Sequence, residues 1–161
     1  MKRVIRPFEP RDFDRVHQVC VAAFTSVHEG FEKALGTEIF AREYPGWQAR
    51  YADDIRALIA DPNIQLHVVE DVGAIAGFVT TRIDPARRVG ELGLNAIDPA
   101  LQGKGIGKEM YAFALQNLKE RGADYVYVGT GADAAHAPAR AAYEAVGFDR
   151  SIPVVYYYKR L

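Results

Sequence analysis

The sequence predicts an α+β fold, one domain over 1–161, in which a largely antiparallel strand meander feeds a β-α-β unit. Three observations carry this. Apolar residues recur at helical spacing before Pro62 and at strand spacing after it. The strand-like runs 64–71, 74–84 and 88–98 are joined by short turns at Asp71-Val72-Gly73 and near Asp84-Pro85, the mark of antiparallel hairpins. A glycine-rich stretch, an amphipathic run and another strand-like run then follow in that order.

Along the chain, residues 2–9 (KRVIRPFE) alternate and read as a first strand. Pro10 and Asp12 open a helix in which Phe13, Val16, Val19/Cys20 and Ala23/Phe24 share a face. Residues 31–61 are mostly helical, with a break at Pro45-Gly46. After the meander, Ile106, Met110, Phe113/Ala114 and Leu118 mark a helix from 106 to 121 that Gly122 terminates. DYVYVGTG is a strand, APARAAYEAVG a short helix stopped by Gly147, and IPVVYYYKRL a closing strand.

Composition excludes several classes. With 49% hydrophobic and 25% charged residues, the 161-residue chain reads as an ordinary globular protein. Twenty basic residues against 21 acidic ones create no single-sign field, so neither a nucleic acid nor a membrane is an expected partner. No apolar run approaches the roughly 18 residues that span a bilayer. The basic N-terminus reaches Pro7 and Glu9 without an apolar core, so it does not read as a signal peptide, and the cytoplasm is the expected compartment. The single cysteine, Cys20, forms no internal disulfide and lies in the apolar run VCVAAF as a small buried hydrophobe. No metal site is expected.

The informative stretch is QGKGIG, 102–107. Glycine costs conformational entropy and adds nothing to a core, so three in six positions serve a tight turn or a close approach. The ATP-binding pattern G-x-x-x-x-G-K-[ST] fails, because Lys108 stands where its second glycine belongs. The dinucleotide pattern G-x-G-x-x-G fails at Lys108 and, from Gly105, at Met110. The physical logic survives both failures. A strand ends at Asp98-Pro99, a loop follows, and a helix starts. Amides with no intrahelical partner point outward at the positive end of the helix dipole, and Lys104 and Lys108 add charge. That is a phosphate or pyrophosphate site.

AIDPALQGKGIGKEM resembles the acyl-CoA-binding signature of the GNAT superfamily of N-acyltransferases, roughly V-x-P-x-x-[QR]-G-x-G-x-[GA]. Ile97, Pro99, Gln102, Gly103, Gly105 and Gly107 fill its places in order. HAPARAAYEAVGF, 136–148, resembles the later motif N-x-x-A-x-x-x-Y-E-x-x-G-F through Ala139, Tyr143, Glu144, Gly147 and Phe148. His136 stands where asparagine is commonest, which leaves the usual hydrogen bond to the cofactor arm to an imidazole.

The resemblance implies a mostly antiparallel sheet of about six to seven strands, splayed between strands 4 and 5 and flanked by about four helices. It implies that backbone amides from Gln102 to Lys108, through Gly103, Lys104, Gly105, Ile106 and Gly107, hold the pyrophosphate of coenzyme A. Ala96 and Ile97 would run beside the pantetheine arm, with His136 and Ala139 on the same side. The donor would be acetyl-CoA and the acceptor a primary amine, in direct transfer. A homodimer is compatible with the resemblance.

Such chemistry needs a deprotonated amine, a positioned thioester, a donor for the oxyanion and a proton for the thiolate. The resemblance sets Tyr143 beside the sulfur as the acid. Glu91 is the candidate base, through water; the other reading of it is a rim carboxylate that binds substrate charge. By the period of two, Glu91, Gly93, Asn95 and Ile97 share one strand face, where Asn95 could orient water or substrate. His136 is the alternative base. In the resembling family the 25–51 segment walls the acceptor pocket, which makes His28, Glu29, Tyr44 and Trp47 candidate substrate contacts. The rival function is a non-catalytic acyl-CoA-binding sensor or partner domain.

Overall fold

The structure is a computed structural model and describes residues 3–161; Lys2 of the first strand-like run lies outside these residues. Strands β1 (Val4–Pro7), β2 (Ile64–Asp71), β3 (Ala74–Asp84), β4 (Val89–Ile97) and β5 (Tyr125–Val128) form one sheet in sequence order. The first four are antiparallel neighbours and β5 runs parallel to β4. The β2–β3 turn places Val72 (φ 52°) and Gly73 (φ 80°) in the left-handed region, the geometry a two-residue hairpin needs.

Five α-helices flank the sheet: α1 (Phe13–Leu35), α2 (Thr37–Glu43), α3 (Trp47–Ala60), α4 (Ile106–Glu120) and α5 (Ala137–Ala145). The helical stretch after α1 breaks twice, at Gly36 (φ 76°) and again at Tyr44–Gly46, where Gly46 is left-handed. Two cores sit on opposite faces of the sheet. On one, Ile106, Met110, Ala114 and Leu118 of α4 cover Val69, Ala76, Val79 and Leu92, and Tyr143 of α5 joins them. On the other, Val16, Val19 and Cys20 of α1 and Ile55 of α3 cover Leu66, Val68, Phe78 and Ala96. No helix among the described residues is long and apolar enough to cross a membrane.

Two expectations need correction. The described sheet has five strands rather than six to seven, because IPVVYYYKRL forms none. Its β-branched and aromatic residues favour a strand, but a strand needs a ladder partner and the outer edge of β5 does not supply one to it. The segment instead runs out exposed, and its far end reaches α2 through the Arg160–Glu38 ion pair (2.9 Å).

The second correction is in β4. Its register against β3 slips between Val79 and Thr81: Val79 lies opposite Asn95, but Thr81 opposite Leu92. This β-bulge breaks the period of two. Leu92 packs on the α4 face, whereas Leu94 and Ala96 pack on the α1 face and Ile97 returns to α4. Glu91, adjacent to Leu92, therefore does not share a face with Asn95 and Ile97. The Thr80 hydroxyl steadies the bulge by donating to Leu94 O (3.0 Å), and a Cβ on Gly93 would come within 2.6 Å of that hydroxyl oxygen.

Candidate active site

β4 and β5 pair only from Val89↔Tyr125 to Leu92↔Val128. Beyond the bulge they part, and a cleft of about 890 Å³ opens between the far half of β4 and the loop after β5. Its floor is Gly93 to Ile97, one wall is Ala22 to Val27 with Glu29 of α1, and the other comes from the 102–108 loop, Gly129, Thr130 and α5. A free strand edge in a cleft offers backbone N–H and C=O groups to an extended ligand.

The glycine loop closes one end. Asp98 caps the turn at Pro99 by accepting from Ala100 N (2.9 Å) and is tied to α1 by Arg15 (2.5 Å). The Ala100 amide, against the opposing effect of burial and with help from Arg15, holds the Asp98 carboxyl below its ordinary range. Gly103 and Gly105 are left-handed (φ 78° each), a conformation costly for other residues. The first helical bond of α4 runs from Glu109 N to Gly105 O (3.2 Å), so the amides of Ile106, Gly107 and Lys108 have no intrahelical partner. Arg3 fixes the loop from outside, donating to Lys104 O (2.7 Å) and pairing with Glu109 (2.6 Å). Gly107 lets α4 approach β4; a Cβ there would lie 2.9 Å from Ile97 Cδ1. This amide-lined turn with no carboxylate among the cleft residues of the loop fits a phosphate-bearing ligand.

Midway along the cleft, Asn95 gathers two phenols. Its Oδ1 accepts from Tyr111 (2.8 Å) and from Tyr143 (3.2 Å), and its Nδ2 donates to Gly93 O (2.8 Å). Both tyrosines are buried, and the rings lie 5.0 Å apart. Burial pushes both phenols above their ordinary value; for Tyr143 the bonds to Asn95 and Tyr111 oppose the rise. Nothing in the sequence pattern flags Tyr111, which sits in the apolar face of α4 one residue beyond Met110.

At the other wall His136 Nδ1 lies 2.6 Å from Asp133 Oδ2. Asp133 also caps the turn through Oδ1, which accepts from Ala135 N (3.0 Å) and His136 N (3.3 Å). Burial is the largest single influence and would raise the Asp133 carboxyl, but the bond and charge of His136 together with the backbone amides hold the group below its ordinary range. Arg140 secures the same loop by donating to Gly131 O (2.6 Å) and Asp133 O (2.7 Å). A Cβ built on Gly131 would collide with Asp133 Oδ2 and His136 Nδ1. Only glycine leaves room for this pair.

Of the residues singled out from sequence, Glu91, Asn95, Ala96, Ile97, Gln102, Gly103, Gly105, Ile106, Gly107, Lys108, His136, Ala139, Tyr143 and Glu29 line the cleft. Lys104 is in the loop but not on the cleft wall. Glu91 lies opposite Tyr127 in the β4–β5 ladder and, after burial, contributes to raising that phenol. His28, Tyr44 and Trp47 do not line the cleft. His28 is buried and stacks on Trp47 (centroids 4.0 Å, 13°), with Phe31, Phe40, Tyr44 and Tyr51 around it. Burial lowers its imidazole. This aromatic cluster joins α1, α2 and α3 and meets the cleft where Phe31 approaches His136 (6.4 Å). Cys20 is fully buried with its thiol pushed up to about 12, chiefly by desolvation, so it is not a thiolate near neutrality.

Comparison with known proteins agrees with this geometry. The mycothiol acetyltransferase of Thermomonospora curvata is 31% identical over 118 residues, covering 71% of this chain and 39% of the relative. The chain thus spans about two fifths of that relative's length. Among solved structures, PaiA N-acetyltransferase from Thermoplasma acidophilum in complex with coenzyme A superposes with a TM-score of 0.69 at 17% identity, covering 92% of this chain and 91% of that one. An aminoglycoside acetyltransferase from an uncultured soil metagenomic sample, in complex with sisomicin, gives 0.62 at 19% identity over 99% and 96% of the two chains. These two share the fold. The family model described as "Acetyltransferase (GNAT) family" matches residues 34–148, which span both glycine-containing motifs and the whole cleft floor. The chain belongs to the acetyltransferase (GNAT) family.

Proposed function

We propose that the protein transfers an acetyl group from acetyl-CoA directly to a primary amine. The observation that carries this is the cleft itself: an amide-lined turn at one end of an unpaired β4 edge, with an acid–base set beyond it. The loop amides of 103–108 and Lys108 would receive the pyrophosphate, and the free edge of β4 would pair with the pantetheine arm. Family membership and the relatives' names support the same reading.

In direct transfer the neutral amine attacks the thioester carbonyl, the oxyanion takes a donor from the β4 edge, and the thiolate leaves. Tyr143 gives the thiolate its proton. Its phenol donates to Asn95 over a long 3.2 Å bond, which a charged sulfur in reach would outcompete. Glu91, on the cleft wall, takes a proton from the amine through water. A buried thiol at Cys20, outside the cleft lining, is no candidate for an acyl-enzyme step.

The test is thermal unfolding with acetyl-CoA, coenzyme A, ATP and NAD, followed by thiol release with a panel of amines that includes the acceptor of the mycothiol acetyltransferases. At about 100 times the dissociation constant, acetyl-CoA should add about 2.7 kcal/mol of stability. Stabilisation by acetyl-CoA without thiol release from any amine would favour an acyl-CoA-binding module instead. Equal stabilisation by ATP or NAD would sink the cofactor assignment.

A further inference from the structure

The amine reaction has a proton count that one base does not meet. The nitrogen enters as an ammonium with three protons and leaves as an amide with one. One proton is balanced by the proton delivered to sulfur, and the other must reach solvent. Glu91 accounts for a single removal. Resting on the acetyl-transfer reading, we propose that the Asp133–His136 pair is the second proton acceptor: His136 Nε2 takes the first proton from the incoming ammonium and passes it to water.

The geometry supplies each requirement. Nδ1 of His136 is 2.6 Å from Asp133 Oδ2, and a carboxylate there can only accept, so Nδ1 carries the hydrogen and Nε2 keeps its lone pair. The ring lines the cleft and retains 15% side-chain exposure, which gives the proton an exit. Its other neighbour is Phe31 of α1, at the edge of the aromatic cluster. The pair is also built rather than incidental. Asp133 is fixed by two backbone amides, Arg140 pins the loop carbonyls on either side, and Gly131 leaves the space. The charged groups around the ring are Asp133 on its own turn, Arg140 from α5 and, across the cleft, Glu29 from α1, Glu91 from β4 and Lys108 from α4.

The step balances. An N–H bond of the ammonium breaks, an Nε2–H bond forms, and the imidazolium beside Asp133 gives its proton to water. Attack on the thioester follows, Glu91 takes the second proton through water, Tyr143 protonates the thiolate, and the proton on Glu91 returns through water to the Tyr143 phenolate, which restores both groups.

His136→Asn is the discriminating variant, since asparagine is the commonest residue at this place in the resembling motif and keeps a hydrogen bond for the cofactor arm. Thiol release from acetyl-CoA is followed from pH 5.5 to 9 with glucosamine, glycinamide or lysine methyl ester as acceptor. In the wild type, kcat/KM rises with pH along a limb that depends on His136. His136→Asn keeps the KM for acetyl-CoA, loses about 10²-fold in kcat and loses that limb. Asp133→Asn moves both readouts the same way by less. An unchanged kcat and profile in His136→Asn, or a rise in the acetyl-CoA KM alone, overturns the proposal and leaves acetyl transfer standing. A wild type that releases no thiol with any of the three amines overturns both. Independently of turnover, the ¹⁵N shifts of the His136 ring must report an Nδ1–H tautomer at neutral pH; hydrogen on Nε2 overturns the proposal.

Discussion

The two halves of β4 are one strand with two duties. From Val89 to Leu92 it is paired on both edges, with Leu92 buried under α4. From Gly93 to Ile97 it is paired on one edge only, carries a bulge at its start, and presents an amide that gathers two phenols. The first half secures the sheet and the second exposes backbone to a ligand. A single extra residue separates them. Without the bulge the alternation would continue, and Asn95 and Ile97 would turn to the α1 face.

The paired half should carry the larger share of stability. Leu92→Ala removes a fully enclosed side chain and should cost about 2–5 kcal/mol, read as a fall in Tm of about 2–4 °C for each kcal/mol. Asn95→Leu, in the splayed half, leaves two buried phenols without their acceptor. It should cost about 1–3 kcal/mol and lower turnover more than Leu92→Ala does at a temperature where both variants are folded. A larger Tm loss for Asn95→Leu would break the comparison. The smallest effect is at alkaline pH. Burial raises the Tyr111 and Tyr143 phenols above the ordinary value of about 10. The unfolded chain then gives up these protons first, so their contribution is whole below about pH 10 and is lost as pH climbs toward the folded values. Tyr111→Phe should make the alkaline fall in stability shallower; the same slope in the variant would assign it to other tyrosines such as Tyr51, which burial also raises.

Much of this was legible before the structure. The strand runs 64–71 and 74–84 match β2 and β3 end to end, because alternation and left-handed turn residues mark antiparallel hairpins strongly. The α4 start at Ile106 was visible for the same kind of reason: glycines are needed where backbone turns left-handed or approaches another element. The bulge was hidden, since a register slip depends on Thr80 across the ladder and leaves no mark in β4 alone. The closing strand was misread because propensity reports what a segment can do and not whether an edge is there to receive it. From sequence, His28, Tyr44 and Trp47 read as candidate substrate contacts, whereas packing sets them against one another between helices, outside the cleft lining. Tyr111 is not singled out by the sequence at all, and its hydroxyl meets Asn95 only in three dimensions.

Gly131 has a consequence in the language of mutational paths. Its missing side chain is space occupied by Asp133 and His136, so substitutions at 131, 133 and 136 do not commute. Replacing His136 alone does not free position 131, because the Asp133 carboxylate would still meet a new Cβ there. A descendant that first gains a side chain at 131 must displace the imidazole at once. Three positions within six residues are therefore coupled through one shared space, and a change at any of them alters what the other two can hold.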